Sequence, residues 1–185
     1  MKKSDKPRLY PLRPYQSEAA TAIVDSVLDR KGLTFCVEIA RQGGKNELSA
    51  RIELRLLTLF IASSRTLVKC SPTFKPQTVI SMDRLKDRLN DAGYEDEWTS
   101  EKGYIIRLKY ARALFLSADR SANVVGHTAD LLLEVDEAQD VSIEKYAKEF
   151  KPMGATTNTT NFLRDRSLNR EISLRPRSHP DVRLE

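Results

Sequence analysis

The chain has 185 residues, a length that favours a single domain with a substantial core over two full domains. With 40% hydrophobic and 31% charged residues it resembles folded globular proteins, which excludes a largely disordered chain. The net charge of +5 favours an anionic partner only weakly, and no apolar run is long enough to span a bilayer or to serve as a signal peptide. We therefore expect a soluble, intracellular protein with no membrane partner.

The amino-terminal half of the sequence predicts helices that alternate with strands. The first helical pattern of apolar residues ends at Gly32, a suitable helix stop. The apolar residues 33–40 predict a buried strand, and residues 45–62 predict an amphipathic helix. A second strand at residues 66–70 and a further helix at residues 78–89 follow.

The carboxy-terminal half continues this alternation. Residues 103–118 have the period-two pattern of two strands or a hairpin, and residues 129–137 have the near-continuous apolar character of a strand covered on both faces. A short helix at residues 143–150 and a short strand at residues 153–157 complete the pattern. The alternation predicts a three-layer α/β domain around a mainly parallel sheet.

The pattern of alternating elements weakens after Thr160. Residues 161–185 contain six arginines, two prolines and no sustained apolar period. We therefore assign residues 1–160 to one domain and residues 161–185 to a basic tail, a linker or a disordered end.

The segment EIARQGGKNE, residues 38–47, follows the first predicted strand and has features of a phosphate-binding loop. Gly43 and Gly44 lack a Cβ and let backbone N–H groups and a helix N-terminus approach an anion. Lys45 then reaches the phosphates of a nucleotide as a mobile positive charge. Compared with the usual pattern G-x-x-x-x-G-K-[ST], the loop lacks the first glycine and has Asn46 in place of the hydroxyl residue. The carbonyl oxygen of Asn46 can still serve Mg²⁺, directly or through water.

Two adjacent carboxylates, Asp136 and Glu137, end the predicted strand LLLEVDE. A nucleotide-hydrolysing site needs an acid for Mg²⁺, which suits Asp136, and a group that orients or deprotonates water, which suits Glu137. Either signal alone is compatible with an ordinary turn or a polar strand exit, but the two in this order favour a hydrolytic site. Glu134 lies two positions before Asp136, and in a central strand it needs a cationic or hydrogen-bonding partner or must stay neutral.

Several other polar residues have two open interpretations. Tyr15 and Gln16, in RPYQ, can contact adenine by stacking and by the side-chain amide, or can simply begin the first helix. Arg41, inside the loop, can stabilise charge on the γ-phosphate or can pair with a neighbouring acid. Thr156 and Thr157 can sense the γ-phosphate or can be the polar end of a strand.

Taken in order, these motifs resemble the ATPase domain of the large terminase subunit of tailed bacteriophages, the motor that pumps DNA into a capsid. The resemblance covers residues 12–160 and rests on LRPYQ, ARQGGKNE, SPTFKPQT, VVGHTADLLLEVDEAQD and GATTNTT. It implies an additional-strand, RecA-like P-loop fold with Mg²⁺-dependent ATP hydrolysis. It also implies that Arg41 acts on phosphate, that Gln16 belongs to an adenine-binding motif, and that Thr156 and Thr157 couple hydrolysis to DNA movement.

The predicted site accordingly has three parts beside the coupling threonines. Catalysis is assigned to Glu137, Arg41 and Lys45, and the metal shell to Asp136 and Asn46. The predicted ATP-binding residues come from RPYQ and the loop: Tyr15, Gln16, Arg41, Gln42, Gly43, Gly44, Lys45, Asn46 and Glu47.

The resemblance implies partners as well as chemistry. They are double-stranded DNA, a homo-oligomeric ring, pentameric by the same resemblance, seated on a portal, and a small terminase subunit, all in the cytoplasm of an infected bacterial host. Large terminases usually continue into a metal-dependent nuclease domain. The residues after Thr160 supply no acidic cluster for such a domain, so we expect no DNA cleavage by this chain.

Two other functions remain open. RPYQ and the run Asp-Glu-Ala-Gln that begins at Asp136 also suit a superfamily-2 helicase fragment, although a helicase needs a second RecA-like lobe. The other alternative is a catalytically silent module that binds nucleotide or DNA and regulates assembly. ATP hydrolysis stimulated by DNA would argue against a silent module.

Overall fold

The computed structural model describes residues 9–40, 42–119, 121–122, 124, 126–154, 158–166 and 174–177. The helices in these ranges are α1 (Pro14–Leu28), α2 (Lys45–Leu59), α3 (Val79–Asp91) and the short α4 (Ile143–Lys145). The strands are β1 (Thr34–Ile39), β2 (Thr66–Ser71), β3 (Trp98–Glu101), β4 (Ile105–Leu108), β5 (Ala111–Ser117), β6 (Leu132–Val135), β7 (Thr160–Arg166) and β8 (Leu174–Arg177).

The strands of the described ranges form one eight-stranded sheet, in the order β3-β4-β5-β2-β6-β7-β1-β8. The five strands from β5 to β1 in this order are parallel to one another. β3 and β4 extend one edge as an antiparallel meander, and β8 pairs antiparallel with β1 at the other edge. Parallel neighbours need crossover connections, which α2, α3 and the turns after β6 supply.

Alternate residues of the central strands point to opposite faces of the sheet. On one face Leu67, Leu132 and Phe162 belong to an apolar cluster with residues of α1, α2 and α3. On the other face Val68 and Leu133 belong to a second cluster, which the helical turns Tyr146–Phe150 and Lys151–Gly154 cover. The predicted three-layer α/β fold with a mainly parallel sheet is therefore confirmed.

The last predicted strand, at residues 153–157, is wrong at its start, and residues 155–157 lie outside the described residues. Met153 and Gly154 belong to a helical turn, where Met153 is buried in the second apolar cluster. The strand after β6 in the sequence is β7, which begins at Thr160 and lies between β6 and β1 in the sheet. The hydrophobic pattern of the sequence does not predict β7, because one of its fully buried residues is the charged Arg164, in the middle of the sheet.

The position of β7 also corrects the assignment to a tail for residues 161–166 and 174–177, whereas the other residues of the range 161–185 lie outside the described residues. Asn161 to Arg166 pair with β1, and residues 174–177 form β8 on its other side. The domain therefore continues past the predicted boundary at Thr160. Across the ranges described here, the helices are too short or too polar to cross a membrane.

Candidate nucleotide site

The carboxyl ends of the parallel strands β1, β6 and β7 lie at one edge of the sheet, where the loops of α/β folds form ligand sites. The loop between β1 and α2 holds Gly43 and Gly44 at this edge. Gly44 has φ +83°, and a Cβ there would lie 2.4 Å from Gln16 Nε2. A Cβ on Gly43 would lie 2.4 Å from Ile39 Cγ2. A side chain at either position would therefore displace its neighbours, which explains the glycine pair.

Tyr15 and Gln16 hold this loop from α1. The Tyr15 hydroxyl donates to the carbonyl oxygen of Gly43 at 2.7 Å, and Gln16 Nε2 donates to that of Gly44 at 3.1 Å. Gln16 Oε1 accepts a hydrogen bond from the Arg13 backbone N–H at 2.9 Å, and Gln16 is only 4% exposed. Both ends of its amide thus contact the protein in this structure. The predicted contact of Tyr15 and Gln16 with adenine stays a prediction.

Lys45 and Glu137, the mouth pair, face each other across the edge of the sheet. Lys45 is the first residue of α2, and its Nζ lies 2.6 Å from Glu137 Oε1, just past the end of β6. Gln139 Nε2 donates to Glu137 Oε2 at 2.7 Å. Burial alone would raise the pKa of Glu137, but the hydrogen bonds from Lys45 and Gln139 lower it below its ordinary value. Glu137 is therefore ionised at neutral pH.

Glu137 has an unusual backbone conformation, with φ 47° and ψ 53°. A non-glycine residue in this left-handed region carries a conformational cost of order 1 kcal/mol or more. The conformation turns the chain sharply after Asp136, and the Glu137 carboxylate meets Lys45. Such outliers concentrate at functional sites, so the conformation adds to the case for Glu137.

Asp136 is buried beside the mouth pair. Its backbone N–H donates to the carbonyl oxygen of Cys70 at 2.8 Å, which fixes it against β2. Oδ2 lies 2.5 Å from Arg164 Nη2, whereas Oδ1 is buried with no hydrogen-bond partner among the described residues. Burial opposes ionisation, yet the charges of Arg164 and Lys69 hold the pKa of Asp136 below its ordinary value. Asp136 therefore presents an ionised carboxylate with one oxygen unpaired.

Four charged side chains lie between α2 and the sheet and form the interior cluster: Glu53, Lys69, Glu134 and Arg164. None of them is more than 4% exposed. Lys69 Nζ lies 2.8 Å from Glu53 Oε1 and 3.3 Å from Glu134 Oε1. Arg164 Nε lies 2.9 Å from Glu134 Oε1. The Ser49 hydroxyl donates to Glu134 and accepts from Lys69, so two acids and two bases are held together inside the domain.

The interior cluster exists because neighbouring strands present charges to the same face. Lys69 on β2 is in register with Glu134 on β6. Arg164, on the next strand β7, forms an ion pair with the same Glu134. The expectation that Glu134 needs a cationic partner is thus confirmed. Burial raises the pKa of Glu53 to about 7, and the charge of Lys69 opposes this increase.

Arg164 connects the interior cluster to the nucleotide site. Besides its ion pairs with Glu134 and Asp136, its Nη1 donates to Asn46 Oδ1 at 3.3 Å. Sequence reasoning missed this residue because it placed Arg164 in a tail. The available signal was Glu134, which needed a cation in the same sheet.

The oxygens near the mouth pair fit a magnesium ion in part. Mg²⁺ prefers hard oxygen ligands and usually takes only one or two protein carboxylates beside phosphate and water. The unpaired Oδ1 of Asp136 suits this role, while Asn46 Oδ1 is already engaged by Arg164. Among the described residues there is no group of three or more acidic, histidine or cysteine side chains that could hold a metal ion.

The remaining predicted residues are placed as follows. Gln42 is exposed in the loop, with φ 61°. Glu47 lies in the first turn of α2, where its carboxylate is 3.4 Å from Arg88 Nη1 on α3. Arg41, Thr156 and Thr157 lie outside the described residues, and their roles stay predictions.

A glycine-lysine loop after β1 and an Asp-Glu pair after β6, at one edge of a parallel sheet, define a P-loop nucleoside-triphosphatase fold. Family models give no match to the chain, and neither do curated protein sequences. Solved structures do: the fold is that of the ATPase domains of phage large terminases. The large terminase of bacteriophage HK97 superposes with a TM-score of 0.66 at 17% identity over 85% of this chain and 34% of the other.

Two further structures are similar. The large terminase ATPase domain of Thermus phage P74-26 gives a TM-score of 0.61 at 16% identity over 85% of this chain and 64% of the other. A large terminase from a thermophilic bacteriophage, solved in complex with ADP, gives 0.58 at 12% identity over 79% and 38%. The chain thus spans between about a third and just under two thirds of these proteins. At these identities the likeness establishes the fold.

Proposed function

We propose that this chain is an ATPase whose hydrolysis of ATP drives double-stranded DNA into a phage capsid. The observation that carries the proposal is the mouth pair, which brings the loop lysine within 2.6 Å of the carboxylate after β6. Chains of the same fold include large terminases, one of them solved with ADP. The partners we propose are a ring of copies on a portal, a small terminase subunit and DNA.

The proposed chemistry assigns a separate role to each residue. The N–H groups at the start of α2 and the ammonium group of Lys45 bind the phosphates. Glu137, ionised because its pKa is lowered, accepts a proton from the attacking water or orients it. Arg41 stabilises the charge that develops on the γ-phosphate. Asp136, whose Oδ1 has no hydrogen-bond partner among the described residues, would hold Mg²⁺, and the ion would offset phosphate charge.

The mouth pair gives the proposed cycle a first step. In this structure Lys45 is paired with Glu137. Nucleotide phosphates offer Lys45 a replacement anion, so binding separates the pair and leaves Glu137 to act on water. Tyr15 and Gln16 fix the carbonyl groups of Gly43 and Gly44, which keeps the loop open for the phosphates.

The test measures phosphate release and ADP binding with the full chain. Glu137→Gln should keep nucleotide binding and lose at least about a hundredfold in turnover, the scale of a general base. Lys45→Ala should weaken ADP binding about tenfold to a hundredfold, since it removes a charged hydrogen-bond donor. Glu95→Gln and Lys86→Ala, which change exposed or surface side chains of the same types, serve as controls. Undiminished turnover in Glu137→Gln would refute the assignment.

The DNA part of the proposal needs its own experiment. Turnover should rise when double-stranded DNA is added, and should depend steeply on protein concentration if neighbouring copies complete the site. ADP binding without hydrolysis, at concentrations that favour oligomers, would instead support a silent regulatory module.

A further inference from the structure

Arg164 is placed so that each guanidinium nitrogen contacts a different group. Nε lies 2.9 Å from Glu134 Oε1 in the interior cluster, and Nη2 lies 2.5 Å from Asp136 Oδ2. Nη1 donates to Asn46 Oδ1 at 3.3 Å, in the first turn of α2. One buried side chain therefore joins β7, the end of β6 and the start of the helix that carries Lys45.

The guanidinium group is fixed from the side opposite the nucleotide site. Arg164 is 0% exposed, and its partner Glu134 is itself held by Lys69 and Ser49. Withdrawing Arg164 would leave Glu134 and Asp136 as buried carboxylates that have lost their guanidinium partner, which is strongly unfavourable. Arg164 is therefore expected to stay in place when ligands bind.

A fixed Arg164 changes the expected role of Asn46. Both residues predicted to serve the ion, Asp136 and Asn46, give an oxygen to the same guanidinium group. Asp136 retains a second, unpaired oxygen, whereas the single side-chain oxygen of Asn46 is the one that Arg164 contacts. An arginine nitrogen also repels a cation at that oxygen.

We infer that Arg164 is a positioning residue and that Asn46 anchors the loop to it, instead of acting as a ligand of Mg²⁺. The inference rests on the proposed function. Of the two predicted ligands of the ion, Asp136 and Asn46, it keeps only Asp136. It explains the unusual loop residue: the amide of asparagine reaches Arg164 with an acceptor oxygen, and the shorter hydroxyl of serine does not extend as far. The first turn of α2, next to the glycine pair, is then held in place before nucleotide arrives.

The first experiment tests the anchor without any nucleotide. Thermal unfolding is compared for the wild type, Asn46→Ser, Arg164→Lys and the double variant. If Asn46 and Arg164 act together, the double variant should lose less Tm than the two single variants combined, by about 2–4 °C. Additive losses overturn the inference, whether or not the chain binds ATP.

The second experiment measures ADP affinity in EDTA and in excess Mg²⁺. An anchor predicts that Asn46→Ser weakens ADP binding by the same factor, about threefold to tenfold, in both conditions. A metal-ligand role predicts no loss in EDTA, and that result overturns the inference. Asn161→Ser, which removes a partly buried asparagine side chain at the start of β7, is the control and should change neither value. The ADP measurement needs no Arg164 variant, so it still tests the role of Asn46 if Arg164→Lys does not fold.

The two experiments separate this inference from the proposed function. A wild type that binds no ADP in either condition refutes the proposed function, while the unfolding cycle still decides whether Asn46 and Arg164 are coupled. ADP binding with additive Tm losses leaves the proposed function intact and refutes the anchor.

Discussion

The mouth pair and the interior cluster are both made of carboxylates and cations, but they differ in burial and in connection. The side chains of Lys45 and Glu137 are 12% and 13% exposed. Those of Lys69, Glu134 and Arg164 are 5% exposed or less, and Arg164 contacts two carboxylates at once. The mouth pair is partly exposed at the edge of the sheet, and the interior cluster is enclosed between α2 and the sheet.

The difference separates an exchangeable contact from a fixed one. In the proposed function, phosphate groups replace Glu137 as the partner of Lys45, because the pair lies partly exposed at the edge of the sheet. No ligand can replace Glu134 as a partner of Lys69 or Arg164 without opening the core. We therefore expect variants of the interior cluster to affect stability first and variants of the mouth pair to affect nucleotide binding and turnover first.

The largest expected effect comes from Lys69→Met. This variant removes the cation that pairs with Glu53 and leaves that carboxylate buried, so the free energy of unfolding at pH 8 should fall by about 3–5 kcal/mol. Lys86→Met, which breaks a more exposed ion pair with Asp83 on α3, should change it by less than about 1 kcal/mol. Urea unfolding measures both. Equal losses in the two variants would remove the distinction between fixed and exposed pairs.

A smaller effect is expected in the pH dependence of stability, through Glu53. Its pKa rises from the ordinary value of 4.5 to about 7 because of burial, so the folded chain binds the proton more tightly than the unfolded chain. The resulting stabilisation is complete below about pH 4.5 and is lost as pH rises toward 7 and above, by at most about 1.4 kcal/mol per pH unit. Glu137, whose pKa is lowered, contributes with the opposite sign, and its stabilisation is lost as pH falls.

The measurement compares urea unfolding of the wild type and Glu53→Gln at pH values from 5 to 8. The stability of the wild type relative to the variant should fall across this range, because the variant cannot titrate at this position. Glu95→Gln, at an exposed position, should run parallel to the wild type. A Glu53→Gln curve that also runs parallel would show that Glu53 does not titrate differently in the folded chain.

The elements that lead to the mouth pair could be predicted because their signals are local. An apolar run, two glycines and a lysine mark the end of β1 and the start of α2 within about a dozen residues. The end of β6 is marked by an apolar run followed by Asp136 and Glu137. Their meeting follows from the rule that parallel strands place their carboxyl ends at one edge.

The interior cluster could not be predicted in the same way. β7 reads as a polar segment, and Arg164 is compatible with a buried strand only because Glu134 and Asp136 lie beside it in space, about thirty residues away in sequence. Gln16 is a second case. The motif RPYQ indicates that Gln16 is important, but its contacts with the carbonyl groups of Gly43 and Gly44 depend on how α1 packs against the loop.

The smallest effect concerns the mouth pair itself. Because binding must separate Lys45 from Glu137, the neutral side chain in Glu137→Gln should let Lys45 engage phosphate more readily and tighten ADP binding about fivefold, or roughly 1 kcal/mol. Asp140→Asn removes a nearby exposed charge that contacts Gln139, and it should change ADP affinity less. Fluorescence titration of both variants measures the difference. If the two variants tighten binding equally, the general loss of negative charge explains the gain, and the mouth pair is not an exchangeable contact.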